Sequence, residues 1–225
     1  MPSDLLQRPD VTLDWRPPPD RGVIERLVAE EPPGTLALVD GLFHQTLAVG
    51  HAELRLALER GWTVWGLASL GAIRACEMAP LGMRGFGRVA LMYAEKGLED
   101  DEVALLHTEE PPHQPLTLPM VQIREIVRHL VAERALPAGA AAAILADLKR
   151  RWYGERSPEL LFTLLADHGL QQERVRALTE PIERFNIKAQ DLIGFLRLPA
   201  AEMCPAAGDP SRGAVSTATR GARHS

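Results

Sequence analysis

Between residues 36 and 107 the chain alternates short apolar runs with stretches of helical periodicity, and few folds accommodate that alternation. Leu36-Ala-Leu-Val-Asp40 is too short for a helix and ends at an Asp40-Gly41 pair, the pattern of a buried strand leaving a sheet. Leu47, His51, Leu54 and Leu58 then recur at helical spacing across residues 46–60. Thr63-Val-Trp-Gly66 reads as a second strand, Ser69 to Met78 as a second helix and Gly87 to Lys96 as a third, with Val103-Ala-Leu-Leu-His107 supplying a third strand. Such spacing predicts an α/β fold on a small parallel sheet, flanked by helices and joined by right-handed crossovers. Ligands of these sheets bind beyond the carboxyl ends of the strands. Asp40, Ser69 and His107 all fall at those predicted ends.

The flanking sequence completes an expected order of a core over 1–107, a connector over 108–119, a helical subdomain over 120–198 and a disordered tail over 199–225. Residues 1–35 are polar and proline-rich, with Val11-Thr-Leu-Asp-Trp15 as one short extended segment. The connector carries four prolines. After it, Met120, Ile123, Ile126, Val127, Leu130 and Val131 share one helix face, and Ile144, Leu145, Leu148 and Trp152 repeat the pattern. Ser157-Pro158 is a helix start, Gly169 a stop, and a last helix spans about Lys188 to Leu198. Beyond it only Met203 and Val215 are larger aliphatics. A formal net charge of −5 argues against nucleic acid as the main partner, since phosphate binding needs a concentrated positive field. Two cysteines suit a reducing compartment. With no long apolar run and no basic, apolar leader, the expected location is cytoplasmic and off the membrane.

Chemistry concentrates first in Trp65-Gly-Leu-Ala-Ser69-Leu-Gly71-Ala-Ile-Arg74-Ala-Cys76-Glu77. A serine at a strand-to-helix junction, flanked by small residues, is similar to a nucleophile elbow, although Leu67 replaces the first glycine of that pattern. The helix starting there offers unpaired N–H groups to a developing oxyanion. The plainer alternative makes Ser69 only an N-cap. The catalytic reading requires its hydroxyl to stand free at a crevice mouth, beside arginines and an imidazole. His44 and His107 are the two candidate bases. Gly82-Met-Arg84-Gly85-Phe-Gly87-Arg88 interleaves arginines with glycines, as an anion or a glycine-rich peptide tail would require, or forms a tight solvated loop. Its Gly85-x-Gly87-x-x-Ala90 match to a dinucleotide fingerprint is rejected because it follows a helical pattern rather than a strand. Glu99-Asp100-Asp101-Glu102 is a surface turn or, running into the expected third strand, a set of carboxylates at the site edge. No His/Cys spacing supports a metal site. Cys76 reads as a packed small residue, and Lys149-Arg150-Arg151-Trp152-Tyr153 as a patch that docks an acidic protein or covers helix carbonyls.

Together these stretches resemble the TfuA-like family, over roughly residues 14–165. The resemblance rests on Val39-Asp40-Gly41-Leu42-Phe43-His44, the Gly66–Glu77 stretch, Gly82–Arg88, and Leu98-Glu99-Asp100-Asp101-Glu102-Val103-Ala104. Leu67, Leu70 and Cys76 stand where members have alanine, methionine and alanine. Members also open with an apolar strand ending in Gly-Pro-Ser, of which only Pro2-Ser3 has a counterpart, implying a truncated first strand. The resemblance implies a partner of YcaO enzymes, which use ATP to activate a backbone amide of a ribosomal peptide or protein for thioamide formation. The chain itself then needs no cofactor. Its implied activity is hydrolysis of the thiocarboxylate of a ThiS-type sulfur carrier, releasing sulfide, with a precursor peptide as a further partner. The resemblance carries over Asp40, Ser69, Arg74, Glu77, Arg84, Arg88, Asp100 and Asp101. With His44 and His107 as the candidate bases read from the residues, the expected catalytic set is Ser69, His44, His107, Asp40 and Asp101, and Gly71, Arg74, Glu77, Arg84, Gly85, Gly87, Arg88 and Asp100 are expected to hold the substrate. The competing readings are a non-catalytic YcaO-binding module and an unrelated serine hydrolase.

Overall fold

The computed structural model describes residues 9–39, 47–110, 113–179 and 181–205. It divides into two compact units, residues 1–97 with 188–225, and residues 98–187. The first boundary read from composition, at residue 107, is therefore displaced to Gly97, and the last helix returns to the first unit.

The first unit holds a parallel three-stranded sheet in the order β1 (Thr35–Leu38), β2 (Thr63–Leu67), β3 (Arg84–Phe86). Leu36 pairs with Val64 and Leu38 with Gly66, while Gly66 pairs with Gly85 and Leu67 with Phe86. Helices α1 (Val23–Glu30), α2 (His51–Glu59), α3 (Leu70–Met78) and α4 (Gly87–Lys96) accompany the sheet. Because side chains alternate across a strand, Leu36, Leu38 and Val64 join Leu54, Ala57, Ala75 and Met78 on one face. Trp65, Leu67 and Phe86 face the other way. They are covered by α9 (Ile187–Leu196) and α10 (Ala200–Met203) through Phe195, Leu196 and Met203.

α1 escaped the sequence reading, which saw only a polar, proline-rich stretch; its buried stripe is just Ile24, Leu27 and Val28. α10 falls where a disordered tail was expected from residue 199. Met203, 3% exposed, is drawn into the sheet-covering cluster, and residues 206–225 lie outside the described residues. Beyond β1 no further strand is paired among the described residues, and a cavity of about 420 Å³ follows that edge between Val11, Leu36, Leu38, Leu192, Phe195 and Met203.

The third strand is a correction. Val103–His107 is not a strand of the sheet. Val103 and Ala104 are buried and Leu105 and Leu106 half-buried in the second unit instead, where Leu106 N–H donates to Thr117 Oγ1 (2.8 Å) and Leu116 N–H to Leu106 O (2.8 Å). The true third strand, Arg-Gly-Phe, has one large apolar residue and so no legible periodicity. Rejecting the dinucleotide fingerprint because no strand preceded it therefore rested on a misplaced strand, although the strand's last residue is Phe86, inside the glycine pattern itself.

The second unit is helical: α5 (Met120–Ala132), α6 (Ala138–Arg150), α7 (Pro158–Asp167) and α8 (Gln172–Thr179). Met120, Ile123, Ile126 and Leu130 of α5 meet Ile144 and Leu148 of α6, as the spacing predicted, and Leu161 and Leu165 of α7 join them; Trp152, expected on the α6 face, lies beyond the end of α6 and is exposed. Ser157 caps α7, its Oγ accepting from Leu160 N–H at 3.2 Å.

Candidate functional site

At the end of β2 the chain turns through Ala68, whose φ of +66° is a left-handed conformation rare for a residue with a Cβ. Ser69 N–H bonds to Leu67 O at 2.8 Å and to Val39 O at 3.1 Å. The first of these closes a γ-turn of the strained, positive-φ kind. Such strain persists only where the surroundings enforce it, and it gathers at functional sites. Ser69 follows, with φ −133° and ψ −119°, at the N-cap position of α3.

Both expectations for Ser69 need correction. Its side chain makes no capping bond to α3, so the cap reading is excluded. Nor does it stand free at a crevice mouth, because Ser69 is 1% exposed and its Oγ has no hydrogen-bond partner among the described residues. A buried, unpaired hydroxyl costs about 1–3 kcal/mol. The first N–H groups of α3, on Leu70 and Gly71, likewise have no acceptor among the described residues. Gly71 is a packing position: a Cβ there would lie 1.8 Å from Leu38 O, and one on Gly66 would lie 2.0 Å from Gly71 O. Their absence lets α3 ride directly on β1 and β2.

The glycine–arginine stretch delivers β3 into α4, next to this turn in the sheet because Leu67 pairs with Phe86. Its anion is internal. The Asp191 carboxylate of α9 accepts from Arg88 N–H (2.8 Å) and Val89 N–H (2.9 Å), capping α4. Gly87, at φ +90°, makes room for it, since a Cβ would lie 2.3 Å from Asp191 Cγ. Burial pushes the Asp191 carboxyl above its ordinary range, against the pull of those two amides and of Arg88. Gly85 packs against α4, where a Cβ would come 3.2 Å from that of Ala90. The Arg84 guanidinium lies over Trp65, 5.5 Å from the ring centroid.

On α3, Arg74 and Glu77 are brought together at 2.6 Å, and Arg74 Nε also donates to Val49 O at 3.1 Å. The third member is His51, whose Nε2 lies 2.9 Å from Glu77 Oε2. Sequence reasoning took His51 for a place in an apolar stripe; a histidine in the first turn of α2 was the available signal.

The acid run and His107 belong to the second unit. Asp100 is exposed. Asp101 and Glu102 are engaged: Arg156, itself 1% exposed, reaches Asp101 Oδ2 at 2.6 Å, Lys149 pairs with Asp101, and Arg124 grips Glu102 at 2.9 and 2.7 Å. Desolvation opposes ionisation of Asp101, but Arg156 and Lys149 outweigh it and hold the carboxyl below its usual range. Arg156 also donates to Leu148 O and Asp101 O, both at 3.0 Å. These carboxylates thus buckle the 98–104 segment to α6 and to the turn before α7. Lys149, expected in a docking patch, belongs to this buckle. His107 Nδ1 bonds to Thr108 O at 2.8 Å, and its ring stacks edge-on with His113. Asp40 and His44 lie outside the described residues.

The order Ser69 turn, glycine-arginine loop and acid buckle can now be set against known proteins. Residues 40–157, more than half of the 225, match the family described as TfuA-like protein. The chain belongs to the TfuA-like family. No curated protein matches it. Membership is consistent with a YcaO-associated role in thioamide formation. The Ser69 turn and the Arg156 buckle both fall within the match, and Arg156, close to its end, is a residue the sequence reading overlooked. Among the described residues no group of His, Cys, Asp or Glu side chains is placed to hold a metal ion, and no helix is long and apolar enough to cross a membrane.

Proposed function

We propose that this TfuA-like protein supplies sulfide to a YcaO enzyme by hydrolysing the C-terminal thiocarboxylate of a ThiS-type carrier, with Ser69 as the reacting hydroxyl. The observation that supports this reading is a buried hydroxyl with no described partner, held on a strained turn beside the unpaired N–H groups of Leu70 and Gly71. Neither the strain nor the orphaned oxygen helps the fold, and a cap would have removed the second.

In this mechanism Ser69 Oγ attacks the thioacyl carbon and its proton passes to an imidazole, for which His44 is the candidate. The Leu70 and Gly71 amides hold the oxyanion. The imidazolium then gives that proton to the sulfur, the C–S bond breaks, hydrosulfide leaves, and a carrier–serine ester remains. Water then cleaves the ester, returning the carrier carboxylate and the free hydroxyl. With Ser69 1% exposed, no carrier tail reaches Oγ in the described arrangement, so the reaction requires that the site first open.

That sealing also favours a second reading, in which the chain docks on YcaO and does no chemistry. Incubating thiocarboxylated carrier with this protein, alone and with its YcaO partner, separates the two. Sulfide release that disappears in Ser69→Ala supports the hydrolase, because loss of such a donor or nucleophile raises the barrier by about 2.7–4 kcal/mol or more. Release by Ser69→Ala at the wild-type rate, or none from the wild-type protein under either condition, leaves the docking module.

A further inference from the structure

The first unit is completed by a segment far away in sequence. After the chain crosses the second unit it returns as α9 and α10, and this arm lies on the sheet face that carries the end of β2. Asp191, Gly194 and Phe195 form one face of α9. Phe195 meets Trp65 and Phe86 edge-on at centroid distances of 5.6 and 5.4 Å. Phe195, Leu196 and Met203 share one buried cluster with Leu67 and Ala68, the two residues immediately before Ser69. Polar contacts that fasten the arm include Asp191 to the first N–H groups of α4 and Trp65 Nε1–H to Met203 O at 2.9 Å.

The fastening differs from the rest of the core. Asp191 is a carboxylate 5% exposed, in a site where burial works against its charge. On another flank Leu192, Phe195, Leu196 and Met203 line the 420 Å³ cavity beside β1, so among the described residues part of the arm borders a cavity. An element whose fastening includes a buried carboxylate, and which borders a cavity, is placed to open locally without global unfolding. We propose that the α9–α10 arm is a latched cover over the Ser69 turn, with Asp191 on α4 as the latch, and that its release is the opening the chemistry requires. The meaning of the cover rests on the sulfide-release reading, but its existence can be measured without it.

The experiment places a reporter under the cover. In a Cys76→Ala, Cys204→Ser background, Ser69→Cys supplies one buried thiol, and its modification by a small disulfide reagent is followed in the full-length protein. Asp191→Asn and Asp191→Ala are added separately. Under the proposal the thiol reacts through a local opening whose rate is nearly independent of low denaturant, whereas modification through global unfolding climbs with the full denaturant slope. Both Asp191 variants should raise the low-denaturant rate at least tenfold, with the global limb changed far less. Modification only through global unfolding in all three proteins overturns the proposal, as does a rate in the parent as fast as in an unfolded peptide, or an equal rise in both limbs. Sulfide release is assayed separately, so a cover without hydrolysis and hydrolysis without a cover are distinct outcomes.

Discussion

Ser69 sets function against stability within one side chain. Its hydroxyl is desolvated and unpaired, so Ser69→Ala should stabilise the protein by about 1 kcal/mol while abolishing sulfide release. A thermal melt paired with a sulfide assay checks both signs; a lower melting temperature would show that the hydroxyl has a partner in solution. Gly71 illustrates the opposite case. A Cβ 1.8 Å from Leu38 O cannot be accommodated by a side-chain shift, so Gly71→Ala should displace α3 and cost more than 3 kcal/mol, read as a lowered denaturation midpoint. Sequence reasoning singled out both residues from their adjacency to a strand end, which is legible, but not the burial of the Ser69 side chain or the backbone approach at Gly71, which are not. Asp191 was invisible altogether. An acid in a helical stretch normally faces water, and nothing local reveals that Gly87, about a hundred positions earlier, leaves a niche for it.

Elements were legible where a periodic stripe was long and contiguous. α5, α6 and α7 each bury a face that their spacing announces, and the Ser157 start and Gly169 stop fall at the ends of α7. β3 failed on both counts, having three residues of which two are polar or side-chain-free. The acid run misled for a different reason: four carboxylates read as surface, whereas three of them, Glu99, Asp101 and Glu102, meet Lys149, Arg156 and Arg124 within the second unit. That buckle should matter mechanically. Arg156→Ala leaves buried carbonyls and Asp101 without their main donor, and should lower stability by about 3–5 kcal/mol. The Asp101 carboxyl titrates below its unfolded value of roughly 4, so its contribution is complete above that pH and disappears as pH falls through the lower folded value. Melts of wild type and Asp101→Asn should therefore differ at neutrality and converge on acidification below about pH 4. A constant gap across that range would remove Asp101 from the acid response.

At the scale of the molecule the two units are built from chain in different ways. Residues 98–187 are contiguous, and the described residues of the core around Met120, Ile126, Ile144, Leu148, Leu161 and Leu165, like those of the Arg156 buckle, all fall within that span. The first unit is discontinuous. Its sheet is complete by Phe86, but Trp65, Leu67 and Phe86 are covered only when α9 and α10 arrive from beyond residue 187. Composition could not signal this, because the returning helix continues the helical pattern of the segment before it. Two expectations follow for expressed fragments. Residues 98–187 alone should melt cooperatively, with denaturant slope in proportion to their size. Residues 1–97 alone should expose an apolar sheet face, bind a hydrophobic dye and associate, and adding a peptide of residues 188–205 in trans should suppress the dye signal. If residues 1–97 were instead monomeric and cooperative without the peptide, the arm would be dispensable to the sheet. It would then act on the Ser69 turn without also holding the fold together, so the arm's two roles separate in this one comparison.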